Sequence, residues 1–167
     1  MTMGRSLILR RIAAFLVDYL VIIGYALAVL GITLAVGPPA LGPVSGQLVG
    51  FATLTLPVFL YFFLTERGPR RATLGKRAMH LRVEAAAEGT RGNILLRNVL
   101  KLLPWEVAHA GVHWVRHFGD EAPPTWVWVL LVAPQLIMLT YLIGMAASGG
   151  ARAPYDRLAG TSIVRSP

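Results

Sequence analysis

The fold class this sequence predicts is an all-α membrane protein, a four-helix transmembrane bundle with a small cytoplasmic loop and ribbon, formed by residues 1–167 as a single domain. Three observations predict it. Hydrophobic residues make up 55% of the chain and charged residues only 14%, with a mean hydropathy of +0.60. The apolar residues are gathered into runs long enough to cross ~30 Å of hydrocarbon at about 1.5 Å per residue. All Lys and Arg residues except Arg116 fall in, or at the edge of, segments that can share one membrane face.

The first span, 12–36, contains one ionisable side chain, Asp18. A carboxylate at that depth costs ~2.5–3.5 kcal/mol on insertion scales, so it should face protein or water and have a partner. Arg11 lies seven residues earlier on the same face, about 10 Å away in depth, too far for a direct pair. The basic residues before it mimic a signal peptide, but the run is too long for a typical signal core and carries an acid, so it reads as retained. Residues 1–11 read as a short basic arm.

Gly37-Pro38-Pro39-Ala40-Leu41-Gly42-Pro43 reads as an uncharged loop, because Pro lacks the N–H and Gly disfavours helix. The second span, 47–65, contains Pro57 and is expected to kink; Gly46 and Gly50 form a small-xxx-small pair beside it. Residues 66–97 form a basic, water-facing loop that suits anionic lipid headgroups. Within it, Ala72-Thr73-Leu74-Gly75-Lys76-Arg77 lacks the two-glycine spacing of a Walker motif. Leu81-Arg82-Val83 and Thr161-Ser162-Ile163-Val164-Arg165 alternate in polarity and are expected to pair as a ribbon.

The third span, 98–118, reads as a helix in two parts divided at Pro104. After the acidic loop around Asp120 and Glu121, the fourth span, 126–146, has no ionisable residue, and 147–167 form a tail. Charge placement puts both termini in the cytoplasm, in a multi-pass protein of the cell's inner (plasma) membrane. With 94–118 lying at the interface there would be three spans and an external tail, which the basic tail opposes. The net charge of +8 therefore reflects membrane sidedness and not nucleic-acid binding. The absence of cysteine excludes disulfides and thiolate sites.

On the third span Glu106, His109, His113 and His117 form one polar stripe within ~80° of the helix circumference. By depth counting, Glu106 lies ~13 Å above Arg97 and Asp18 ~10 Å above Arg11, so Glu106 and His109 are the expected meeting point for Asp18. Three readings compete. Asp18, Glu106, His109 and His113 are candidates for ion and proton binding, with the histidines as relays. Glu106, His109 and His113 are also metal candidates, although they lack the order of common zinc hydrolases. The third reading is a hydrogen-bond network joining helices in lipid.

Taken together, Arg11 and Asp18 in the first helix, Thr73-Leu74-Gly75-Lys76-Arg77 with Leu81-Arg82-Val83, Arg97-Asn98 opening a helix, and Asp156-Arg157-Leu158-Ala159-Gly160-Thr161 resemble the RDD family of small prokaryotic membrane proteins. The family is named for one Arg and two Asp, which map here to Arg11, Asp18 and Asp156. The resemblance implies an uncharacterised membrane protein for which transport is the usual suggestion, some members being associated with sodium/proton antiport. The Glu106, His109 and His113 segment is not part of the general family pattern. Arg11, Lys76, Arg97 and Asp156 are expected to organise the cytoplasmic face. The expected function is ion or small-solute transport, such as cation/proton exchange, with no cofactor. The alternatives are a non-enzymatic scaffold or assembly factor using its ribbon, and third a metal-dependent membrane enzyme. Four helices are few for alternating access, which admits a homo-oligomer.

Overall fold

The structure, a computed structural model, describes residues 2–37, 39–87, 89 and 92–166, with side chains described from Leu7 onward. Pro38 of the expected first loop, the Arg5 side chain and Arg91 lie outside the described residues. Helix α1 covers Thr2–Val36, so the expected basic arm is instead the first turns of this helix. Nothing between Arg5 and Arg11 interrupts helical hydrogen bonding, and Arg10 is held there by donating to the Met79 carbonyl at 3.0 Å.

The second membrane helix is built from α2 (Pro43–Gly50), a π-helical turn (Phe51–Thr55) and α3 (Leu56–Arg67). Pro57 accounts for the interruption. It has no N–H for the carbonyl of Thr53, four residues back, and its ring crowds that carbonyl, so the preceding turn widens. The freed Thr53 oxygen instead accepts the Tyr25 hydroxyl of α1 at 2.5 Å.

The same repair recurs on α5, Ile94–Phe118, which runs through Pro104 as one helix and not as two parts. Pro104 orphans the Leu100 carbonyl, and Tyr141 of α6 (Thr125–Ala147) donates to it at 2.8 Å. At its other end α5 meets α6 through Trp114 and Trp126, whose rings cross edge-on at 5.0 Å. Between them, Leu131 packs over Gly111, where a Cβ would come within 2.8 Å of it. Thus α5 lies antiparallel along α6.

Along its other side α5 is antiparallel to the second membrane helix. His113 lies against Gly46, His109 against Gly50, and Arg97 and Asn98 against Glu66. A Cβ on Gly46 or Gly50 would stand 2.7 or 2.5 Å from an imidazole atom, so this glycine pair admits two rings. Three stretches, Leu7–Val36, Pro43–Arg67 and Thr125–Ala147, are long and apolar enough to cross a membrane. By composition α5 is not in that set, because Arg97, Lys101, Glu106 and Arg116 dilute it.

At one end of the helices, α4 (Leu74–Ala78), β1 (Leu81–Ala85), α7 (Pro154–Leu158) and β2 (Thr161–Arg165) form a small cap. The strands pair antiparallel with Leu81 opposite Arg165 and Ala85 opposite Thr161, the ribbon that their alternation predicts. Its inward residues Leu81, Val83 and Ile163 bury against Ala14 of α1, with Leu7, Met79 and Ile94 around them. The far half of α1 leaves Leu20, Leu27, Leu30, Ile32 and Leu34 exposed, as suits contact with lipid.

The proline repair makes a measurable demand. Tyr141→Phe keeps the ring and removes the hydroxyl that donates to the Leu100 carbonyl. We expect it to destabilise the protein by about 1–2 kcal/mol, read as a lower midpoint of unfolding in detergent. An unchanged midpoint would show that the carbonyl finds another donor.

Candidate functional site

Two polar centres lie among the apolar helices. The first is a chain of alternating charge where the helices meet the cap. Arg11 pairs with Asp156 at 3.0 Å, Asp156 with Arg97 at 2.9 Å, Arg97 with Glu66, and Glu66 with Lys76 at 2.9 Å. Asn98 donates to the same Glu66 oxygen as Arg97, at 3.0 Å. All five ionic groups are buried, Glu66 and Asp156 completely. Each carboxylate touches two cations, which offsets its desolvation.

The sequence alone points to Arg11, Lys76, Arg97 and Asp156 here, and the structure brings all four together. It misses Glu66, which as the last acid of an apolar helix reads equally as the start of the water-facing loop. Its available signal is position: Glu66 falls in the last turn of α3, where the charge of Arg97 on an antiparallel neighbour can reach it.

Asp156 lies on the short α7, and its Oδ2 also accepts the Ala153 N–H at 2.9 Å. Burial pushes its carboxyl up, but Arg97 and Arg11 outweigh burial and hold it below the usual carboxylate range. Burial raises the neighbouring Tyr155 hydroxyl, whose ring lies under the Arg97 guanidinium at 5.4 Å.

Asp18 joins neither Glu106 nor His109 in a hydrogen bond. Its Oδ1 accepts from the Tyr61 hydroxyl at 2.7 Å and the Gly75 N–H at 2.8 Å, and its Oδ2 accepts from the Thr73 hydroxyl at 2.6 Å. The partner that the sequence analysis seeks for this acid is therefore the first turn of α4. Gly75 is required for the approach, since a Cβ there would stand 2.0 Å from the Ala14 carbonyl oxygen. Thr73 caps α4 by accepting the Lys76 N–H at 3.3 Å, so Thr73-Leu74-Gly75-Lys76 serves a buried carboxylate of its own chain.

Glu106 sits in the second centre, between α2 and α5. It accepts from Gln47, and from Thr55 at 2.5 Å. Tyr61 and Thr55 are six residues apart, so the two acids address levels about 9 Å apart on the second membrane helix. Depth counting misplaces the meeting because it carries no information on which way a side chain faces.

Beside Glu106, the His109 Nδ1 stands 3.9 Å from its carboxylate, and the His109 and His113 rings lie 4.9 Å apart. The buried atoms Gln47 Oε1, His109 Nδ1 and His113 Nε2 have no hydrogen-bond partner among the described residues. His117 lies farther along, against Trp114 and Phe118. Among the described residues no three His, Asp or Glu side chains are arranged to hold a metal ion, Glu106, His109 and His113 included. Gln47 and Thr55, eight positions apart and so on one helical face, are the polar partners that sequence reasoning missed.

Long apolar helices with lipid-facing surfaces, bound at one end by a buried ionic chain and a two-stranded ribbon, define a small integral membrane protein. The family model described as the RDD family matches residues 5–160, and the chain belongs to that family. Neither a curated protein nor a solved structure matches it. Arg11, Asp18 and Asp156, the residues to which the resemblance maps the Arg and two Asp of the family's name, are 9%, 2% and 0% exposed. All three tie a membrane helix to the cap.

The ionic chain has a pH signature. Because the folded-state pKa of Asp156 is depressed, its contribution is fully present above the unfolded carboxylate value and is lost as pH falls through the folded one. We expect Asp156→Asn to destabilise the protein by about 3–5 kcal/mol at neutral pH. Its unfolding midpoint should also depend less on pH below about pH 4 than that of the wild type. Parallel acid limbs for the two proteins would remove Asp156 from this role.

Proposed function

We propose that this RDD-family protein exchanges a small cation or solute for protons across the membrane through the Glu106, His109 and His113 centre. The observation that carries this reading is the combination of a carboxylate, two imidazoles and three unpartnered buried polar atoms between α2 and α5. A polar atom without a hydrogen bond at membrane depth calls for water, a proton or an ion. The structural chain from Arg11 to Lys76 leaves one such atom among the described residues, Asn98 Oδ1, where this centre leaves three. Deprotonated Glu106 would take the cation and protonation would release it, with His109 and His113 passing protons toward the α5 end that carries His117. Asp18, with three donors on its carboxylate, serves this reading as the residue that fixes the cap against α1.

In proteoliposomes, we expect an imposed sodium or lithium gradient to drive proton movement. Glu106→Gln should reduce it by about tenfold or more, and Arg152→Gln should leave it intact. Absence of flux from well-folded protein would favour the second reading, a non-enzymatic scaffold. That reading draws on the fully paired chain from Arg11 to Lys76, which holds the cap rigidly at the ends of the membrane helices.

The transport reading rests on α5 as a fourth span, with both termini in the cytoplasm of a prokaryotic cell. Its support is that α5 lies antiparallel to two apolar helices at once, from Arg97 beside Glu66 to Trp114 beside Trp126. The chain has no native cysteine, so single Cys residues at Ala40, Ala87 and Ala122 report sidedness directly. We expect Ala87→Cys to react with an impermeant thiol reagent only from the cytoplasm, and Ala40→Cys and Ala122→Cys only from outside. Cytoplasmic labelling at position 122 would overturn four spans.

A further inference from the structure

A cleft of about 390 Å³ opens on the cap, away from both centres described above. It is lined by the turn carrying Arg70 and Arg71, by Arg77 of α4 with His80 beyond it, and by Arg82 and Glu84 of β1. Four arginines thus face one carboxylate, and that carboxylate is paired with Arg82 at 2.7 Å. Among the described residues Arg70, Arg71 and Arg77 meet no acid. The Arg82 Nε is buried and has no acceptor among the described residues.

The backbone around the cleft is also unusual. Arg71 and His80, both lining the cleft, have φ of 46° and 54°, a region that side-chain-bearing residues disfavour. Both are pinned there, since the Arg71 carbonyl accepts the Val83 N–H at 2.8 Å and the His80 carbonyl accepts the Ser166 N–H at 2.8 Å. Strain held by the ribbon at a cluster of cations is typical of a ligand clamp. Arg82 has Glu84, and Arg77 donates its Nε to the Ala72 carbonyl at 2.9 Å, but among the described residues no acid pairs with Arg70, Arg71 or Arg77, in contrast to the chain from Arg11 to Lys76.

We propose that this cleft binds a phosphate group at the membrane surface that carries the ribbon. Several guanidinium forks match the oxygens of a phosphate better than those of a single carboxylate, and their summed charge suits a dianion. The wall begins at Pro69, two residues beyond the end of α3 at Arg67, which sets the cleft at headgroup level. An acidic phospholipid or a soluble phosphate compound presents the same group. The assignment holds whether the protein transports or serves as a scaffold.

The test uses the full chain in uncharged detergent with two probes. Inorganic phosphate is titrated by calorimetry, and phosphatidic acid is compared with phosphatidylcholine by native mass spectrometry. Arg70→Gln/Arg71→Asn removes two cleft charges, Asn being tolerant of the positive φ at position 71. Arg152→Gln/Arg157→Gln removes two exposed charges elsewhere. We expect the cleft pair to weaken the bound probe by about tenfold and the control pair by less than about twofold. Arg70→Gln alone, an exposed change that keeps the Arg71 backbone, should give a smaller loss in the same direction and guards against misfolding. Binding of phosphatidic acid alone identifies the lipid source, binding of phosphate alone the soluble one, and binding of both a site open to either. Failure of both probes to bind the wild type, or equal loss in both double variants, would overturn the proposal.

Discussion

The paired chain Arg11–Asp156–Arg97–Glu66–Lys76 is the constraint on which the rest of the structure depends. It takes one residue from each of α1, α7, α5, α3 and α4, segments far apart in sequence, and closes them at one level. None of the five is stable there alone, because a buried unpaired charge costs several kcal/mol. Together they define which helix ends meet and set where the cap sits. The Asp18 carboxylate extends the same logic two turns deeper by accepting from the first turn of α4.

Away from that level the helices obey a different economy. Lipid supplies no hydrogen bonds, so each proline inside a membrane helix exposes a carbonyl that must find a donor. The carbonyl freed in the second membrane helix, at Thr53, and the one freed by Pro104 on α5, at Leu100, each find one in a tyrosine of a neighbouring helix. The prolines therefore couple α1 to the π-helical turn and α5 to α6, as well as bending the helices. The Glu106 centre departs from this economy: Gln47 and Thr55 satisfy the carboxylate, while three nearby buried atoms stay unpartnered. The network at the cap leaves fewer such atoms among the described residues: its carboxylates are paired, and Asn98 Oδ1 is its one buried atom without a partner.

Charge on this protein accordingly falls into three kinds. Some is paired and buried, and holds helices together. Some is single and deep, as at Glu106. A third set surrounds the cap cleft, where Arg70, Arg71 and Arg77 stand apart from any acid among the described residues. The net charge of +8 resides mainly at the cap end, so the surface that holds the ribbon presents a positive field to its surroundings.

The sequence by itself determined the apolar helices and the alternating strands of the ribbon, and it singled out Arg11, Lys76, Arg97 and Asp156 by their places near helix ends and in motifs. Each of these depends on a one-dimensional property: run length, periodicity or distance from a helix end. Only the tertiary structure decided that Asp18 meets Thr73 and Gly75 and not Glu106, that Glu66 belongs to the buried chain, and that α5 continues through Pro104. These outcomes depend on the direction in which a side chain leaves its helix and on the group that waits there. Depth can be counted at about 1.5 Å per residue. Direction and neighbour are set by the packing of helices against one another, and Gly46, Gly50 and Gly75 acquire their meaning only when His113, His109 and Ala14 are in place beside them.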